Sequence, residues 1–355
     1  MRLSLAMVVT DNEPAVARAL GSATPFCDEL VLVTVGSTDA AREVAAEYGA
    51  RVHAFKWGDD WAAARNASFD HCSGDWILWM DPDDVVPIAA QSAFALVKND
   101  LNDATDAIFS PHRHHDPGGR PTFSLSRERL IRRAAGLRWE GPAYESIAVP
   151  RDRSVLRREL AVEYRPGSQK GAIVGERNLR ILRQAVSWGD RSARTLFHLA
   201  NELHANGRFQ EAAHCYRDYL AIDLDGADRY WAQVMLAESL ASSDDRVGAE
   251  RAALQALSED SSRAEAFVTL GRLRFDAEDW EEAMPLFKAA TASRRPEFGY
   301  SRQTDYTFLP WDYLAVCYEK IGRIPDAIQA GVRGVADNPE AERIRANLHW
   351  MVDRL

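Results

Sequence analysis

Asp81-Pro82-Asp83-Asp84 follows directly on the apolar run Trp76-Ile77-Leu78-Trp79-Met80. A buried strand that ends in closely spaced carboxylates presents several hard oxygen ligands at its tip. Such ligands suit Mg2+ or Mn2+ holding a substrate diphosphate, because these cations take one or two carboxylates and fill the remaining positions with water and phosphate oxygens. Acidic residues also often cap strands and the helices after them, so the pattern by itself is a weak signal and a structural turn is its simpler reading. His112, His114 and His115 lack the Cys or acidic companions of a usual zinc pattern and read as surface residues. No G-x-x-x-x-G-K-[ST] loop, no G-x-G-x-x-G and no nucleophilic Ser or Cys motif occurs, which removes ATPase, dehydrogenase and hydrolase readings.

The elements that would carry this tip are legible in the first third of the chain. Leu3 to Val9, Leu30 to Val35, Arg51 to Phe55 and Trp76 to Met80 are short apolar runs separated by helical patterns, the mark of a parallel sheet covered on both faces. Ligand sites in such sheets lie beyond the carboxyl ends of the strands. Gly36-Ser37-Thr38-Asp39 supplies a tight-turn glycine and N-cap residues at one of these ends. From about Asp106 to Pro166 the pattern reads as short strand-like pieces broken by turns, a second half of the same domain. After Gly171 the sequence is helical and repeats. Small residues at Ala200, Ala237, Gly271 and Ala315 are spaced by 37, 34 and 44 positions, near the 34-residue period of TPR helical hairpins. The predicted boundaries are an α/β domain over 1–170, a linking helix over 171–192 and repeats over 193–355. Glu340 to Leu355 would form the closing helix. Extra residues around Ser293 to Pro310, with Phe298, Tyr300, Tyr306 and Phe308, read as an inserted loop for either a partner or plain packing.

A formal net charge of -10 argues against broad binding to nucleic acid or anionic membrane. The stretch 111–183 nevertheless holds 16 Lys+Arg against 8 Asp+Glu, so the middle of the chain could face an anion. Four dispersed cysteines without a C-x-x-C pair fit reduced structural thiols. No apolar run is long enough for a membrane span, and the start lacks a signal-peptide pattern, so a cytoplasmic protein is expected.

Four ordered segments together resemble the inverting family-2 glycosyltransferases of GT-A fold. They are 3–13 (ending Thr10-Asp11-Asn12-Glu13), 28–39, 57–66 (with Ala64-Arg65-Asn66) and 74–81. The similarity leans toward the branch with C-terminal TPR repeats, which includes the glycocin peptide S-glycosyltransferases. The resemblance implies an N-terminal GT-A domain, a Rossmann-like nucleotide-diphospho-sugar transferase fold, followed by an all-α TPR-like solenoid. It also implies a nucleotide-sugar donor, by preference a UDP-sugar. The donor would be bound by Thr10, Asn12, Glu13, Thr34, Gly36, Ser37, Asp60, Arg65 and Asp81. Thr10 would contact the nucleobase and Arg65 the base or diphosphate. Asp81 and Asp83 would hold Mn2+ or Mg2+, with Asp83 the principal ligand.

The segment 132–145 looks like the family's stretch carrying the general base, and supplies Glu145, favoured, and Glu140. Trp139 and Tyr144 would contact the acceptor. Relatives usually have Asp where Thr34 stands, often His at the place of Tyr144 and commonly His near Tyr164 and Arg165, which bears on donor-base selectivity. Two functions follow. One is metal-dependent transfer of a sugar to a hydroxyl or thiol of a peptide, protein or glycan acceptor, held by the repeats. The other is a TPR interaction scaffold whose transferase-like domain has lost turnover. Exposed repeat edges permit a homodimer.

Overall fold

The computed structural model describes residues 1–10, 13–36, 39–116, 118–165, 171–222, 228–339 and 342–352, with the side chains of 13, 39 and 171–174 outside that description. The chain divides into two compact units, Met1–Asp190 and Arg191–Leu355.

In the first unit, β1 (Leu3–Val9), β2 (Glu29–Val35), β3 (Arg51–Phe55) and β4 (Trp76–Met80) pair in parallel in the order β3-β2-β1-β4. The helices between and after them are α1 (Glu13–Ala23), α2 (Asp39–Glu47), α3 (Trp61–Asp70) and α4 (Ile88–Val97). All seven residues of β1 are buried. Leu3, Leu5, Met7 and Val9 join a core with α1, α2 and α4, while Ala6 joins another with α3. Two covered faces explain why the runs are continuously apolar instead of alternating.

Beyond β4 the sheet continues through β5 (Asp84–Val85), β6 (Ala107–His115) and β7 (Pro121–Arg132) to β10 (Ser154–Leu156) and β11 (Val162–Tyr164). The short strands β8 (Trp139–Glu140) and β9 (Ser146–Ile147) form a separate ribbon. The order on this side is β4-β7-β6-β11-β5, with β10 also on β6 and β7 antiparallel to both neighbours. The expectation of short broken pieces over 106–166 is corrected here, since β6 and β7 form a long hairpin. Pro111 reads as a strand breaker, but it falls between the part of β6 paired with β10 (107–109) and the part paired with β11 (112–114). No neighbour on that side asks for its missing N–H. Helix α5 (Gly171–Ser187), expected as a linker, is grouped with this unit. It is fastened by Arg180 to Asp59 at 2.6 Å and by Arg177 lying 4.6 Å over Trp61.

The second unit is four helical hairpins, α6 (Ala193–Ala205) with α7 (Phe209–Leu220), α8 (Asp228–Ala241) with α9 (Arg246–Glu259), α10 (Ala264–Phe275) with α11 (Trp280–Ala292), and α12 (Phe308–Lys320) with α13 (Ile324–Asp337), followed by α14 (Glu342–Val352). Each hairpin turns on a residue with positive φ: Gly207, Asp244, Glu278 and Gly322. Each follows its repeat's small residue by the same interval, so the period seen in the sequence is also a period of backbone geometry. Where α10 crosses α11, a Cβ on Gly271 would lie 2.6 Å from the Phe287 ring, which is why glycine stands there.

The inserted segment packs on its own array. Tyr300 lies 5.5 Å from Phe197 and 5.8 Å from Trp231, Tyr306 Oη donates to Glu265 at 2.7 Å, and Arg302 pairs with Glu238 at 2.6 Å. The cysteines are free. Among the described residues no helix is long and apolar enough to cross a membrane.

Candidate active site

At the end of β4 the chain turns through 81–83 and enters β5 at Asp84. The Asp84 N–H donates to the Asp81 carbonyl at 2.9 Å, and the Asp81 N–H donates back to the Asp84 carboxylate at 3.0 Å. Asp84 is fully buried and takes Arg129 Nη1 at 2.7 Å and His112 Nε2 at 2.8 Å. Burial alone would raise its pKa, but Arg129 and His112 hold it far below the usual carboxylate range. Burial, followed by Arg129, also lowers the pKa of His112, which fits a neutral ring donating from Nε2. One of the three carboxylates is therefore occupied in fixing the turn.

Asp81 and Asp83 also lie at the tip, both half-buried, with the Asp81 side chain 35% exposed. Two carboxylates with water access fit a cation that keeps part of its hydration shell and takes phosphate oxygens. Among the described residues no three His, Cys, Asp or Glu side chains gather as a metal cage, so an all-protein site of the structural-zinc kind is not supported. Tyr164 sits beside the tip. Burial and then the charges of Asp83, Asp81 and Asp84 push its phenol up to about 12, so it stays protonated.

Arg65 joins this tip to the segment that carries Glu145. Helix α3 is capped by Asp60, whose carboxylate accepts from Ala63 N at 2.9 Å, and the Trp61 N–H donates to Pro142 O at 2.9 Å. One turn on, Asn66 exchanges two hydrogen bonds of 3.0 Å with the Trp139 backbone. Arg65 is thereby aimed inward. Its Nη2 donates to Asp81 at 2.7 Å and its Nε to Glu145. The guanidinium lies 4.9 Å from both the Trp79 and the Trp139 ring centroids. Burial works against its charge, but Asp81 and Glu145 together raise its pKa further above its already high value. Expected to reach the donor directly, Arg65 instead bridges the two carboxylates with its fork.

Glu145 is 7% exposed and turned toward Arg65, while Glu140 stands exposed on β8. Tyr144 between them takes the left-handed conformation, φ 54°, which displays its ring at 37% exposure while the next residue turns inward. Trp139 does not fit the acceptor-stacking role. It is 3% exposed and packed edge-on against Trp79 at 4.9 Å and Phe69 at 6.0 Å, so it belongs to the core and offers no free face. Thr34 is also buried and donates to the His53 carbonyl of β3 at 3.4 Å. Gly36 is exposed with φ 61°, Thr10 is half-buried after β1, and Asp60 is engaged as the cap of α3. Asn12, Ser37 and the side chain of Glu13 lie outside the described residues. His112 is buried against Asp84, not at the surface. His114 stacks on Phe123 at 4.2 Å and lies 5.1 Å from Tyr164. Sequence reasoning missed Arg127, Glu128 and Arg129, whose only signal was alternating charge inside a strand.

Residues 4–159 match the family described as glycosyl transferase family 2. A TPR repeat-containing protein of Synechococcus elongatus is 30% identical over 146 residues, 41% of this chain and 35% of that protein. An uncharacterized glycosyltransferase of Rickettsia felis is 30% identical over 108 residues, 30% of this chain and 34% of that protein. The chain thus spans about a third of the length of these curated relatives. Among solved structures, the MamA protein is similar with 13% identity and a TM-score of 0.39, over 48% of this chain and 86% of that one. Residues 4–159, which carry the parallel strands and the carboxylate tip at the end of β4, thus form a glycosyl transferase family 2 domain, followed in the same chain by a TPR-like helical array.

Proposed function

We propose that the chain is an inverting glycosyltransferase that moves a sugar from a nucleotide-sugar donor, a UDP-sugar by preference, to a hydroxyl or thiol of a large acceptor. The observation that carries this reading is Arg65, whose one guanidinium holds Asp81 on one side and Glu145 on the other. A single displacement with inversion needs a group that stabilises the departing diphosphate and a base on the opposite face of the sugar. Asp81 and Asp83 would serve the first need by holding a divalent cation, and Glu145 serves the second. Glu145 accepts the acceptor's O–H or S–H proton as the new bond to the anomeric carbon forms. The bond from that carbon to the nucleoside diphosphate breaks in the same step. Arg65 keeps both carboxylates oriented.

When bound, Mn2+ or Mg2+ at Asp81 and Asp83 would offset the charge that grows on the leaving diphosphate. Glu140 is the weaker candidate for the base because it stands exposed on β8, whereas Glu145 is buried and held by Arg65. A peptide or protein acceptor fits the attached helical array, since stacked hairpins of this kind offer extended binding surfaces.

The test is transfer from UDP-, GDP-, dTDP- and CDP-sugars with Mn2+, read as release of the nucleoside diphosphate. Glu145→Gln should lower kcat by roughly 10²- to 10⁴-fold with little change in donor KM. The reading fails if the folded wild-type protein gives no metal-dependent release from any of these donors.

A further inference from the structure

The β6–β7 ladder runs through Ile108–Leu130 and resumes at Phe109–Glu128, which leaves Arg129 as the extra residue of a β-bulge. On its other edge β7 pairs with β4 as far as Leu78–Leu130. The bulge thus sits where the β4–β7 ladder stops, one residue before Trp79. Bulges bend a strand and re-aim the side chain of the extra residue. Here that side chain is a guanidinium with 0% exposure. Its Nη1 donates to the Trp79 carbonyl at 3.1 Å and to Asp84 at 2.7 Å, and its carbon lies 3.8 Å from the Trp79 ring centroid.

The Nε and Nη2 of Arg129 are buried without hydrogen-bond partners among the described residues. That is a costly way to fill a core, where methionine or leucine would pack without stranding a charge. The neighbouring bulge residues hold the other half of the site. Glu128 accepts the Ile147 N–H at 3.2 Å and takes Trp79 Nε1 on its carbonyl, and Arg127 Nη2 donates to the Glu145 carbonyl at 3.3 Å.

We propose that Arg129 is a positioning residue for donor binding. Acting through Asp84, it fixes how Asp81 and Asp83 are presented to a nucleoside diphosphate and its divalent cation. The bulge 127–129 is the strut that spaces this tip from Glu145. The inference rests on the donor-site reading given above. Arg129→Lys keeps a cation for Asp84, but its shorter stem cannot carry the ammonium to the place where Nη1 serves both Asp84 and the Trp79 carbonyl, and it loses the planar group stacked on the Trp79 ring. Arg129→Met removes the charge and tests the same link from the other side.

The experiment titrates UDP, GDP, dTDP and CDP, each with and without Mn2+, and the corresponding bare nucleosides into wild type and both variants. Thermal midpoints are measured in parallel. In Arg129→Lys the Mn2+-dependent part of the nucleoside diphosphate affinity should fall by about 10- to 100-fold, the loss typical of a group that orients a metal ligand. Bare-nucleoside affinity should stay unchanged, and Arg129→Met should lose at least as much where it folds. A folded Arg129→Lys that keeps the full Mn2+-dependent increment, whatever its thermal midpoint, would overturn this inference alone. Wild type that binds none of the diphosphates would overturn the donor-site reading and this inference with it.

Discussion

The α/β unit gathers its buried charges where strands end, around Asp81, Asp84, Arg65, Arg129 and Glu145. The helical array gathers Glu238, Arg263, Glu265, Arg302 and Asp305 between the first helices of its hairpins and the inserted segment. The first network reaches solvent on a carboxylate, Asp81, whose side chain is 35% exposed. The second keeps its carboxylates shielded and meets solvent on its cation, Arg302, instead. Asp305 and Glu265 have 0% exposure, Arg302 pairs with Glu238 and Asp305, and the Arg302 N–H donates to Glu265 at 3.2 Å. A network that presents a carboxylate to solvent can meet a ligand there, whereas one whose carboxylates are shielded beneath a shared cation works in holding a segment down.

That contrast predicts opposite responses to mutation. Arg302→Met strands Glu238 and Asp305 without their shared cation, and should cost about 3 to 5 kcal/mol in chemical denaturation. Nucleoside diphosphate binding by the folded fraction should not change. A loss of donor affinity in that variant would show that the two networks are not separate in function.

Acid sharpens the same comparison on a smaller scale. Burial pushes the Asp305 carboxyl up to about 6 despite Arg302. Its folded pKa therefore lies above the unfolded value of roughly 4. The folded state binds the extra proton in that window, so this residue's contribution to stability falls as pH rises from about 4 to about 6. Glu29 in the α/β unit runs the other way. Burial would raise it, but hydrogen bonds from Ser4 and Ser73 and the charge of Arg51 bring it down to about 2. Its contribution is present above the unfolded pKa and is lost as pH falls toward about 2. Stability profiles of Asp305→Asn and Glu29→Gln against wild type check both signs. Parallel profiles for the two variants would contradict the assignment.

Sequence made the parallel strands legible because two covered faces leave an unbroken apolar signature, as in Leu3–Val9. It made the repeats legible because hairpin crossings need small residues at Ala200, Ala237, Gly271 and Ala315. The division of labour among Asp81, Asp83 and Asp84 was not legible. The partners that claim Asp84 come from 45 and 28 positions away, Arg129 on a bulge and His112 on a strand that reads as broken. Trp139 misled for a related reason, since an aromatic beside an acid looks like a sugar platform until Trp79 and Phe69 enclose it. The sequence put Arg65 beside the donor, but its pairing with Glu145 depends on the turn at Tyr144, which no local spacing reveals.

The most direct test of the donor site is calorimetric titration of UDP, GDP, dTDP and CDP into wild type and Asp83→Ala, with and without Mn2+. The account predicts that one diphosphate binds wild type more tightly with Mn2+, and that Asp83→Ala stays folded and loses that increment. An equal Mn2+ effect in the folded variant would contradict the central claim that the carboxylate tip holds the donor's diphosphate.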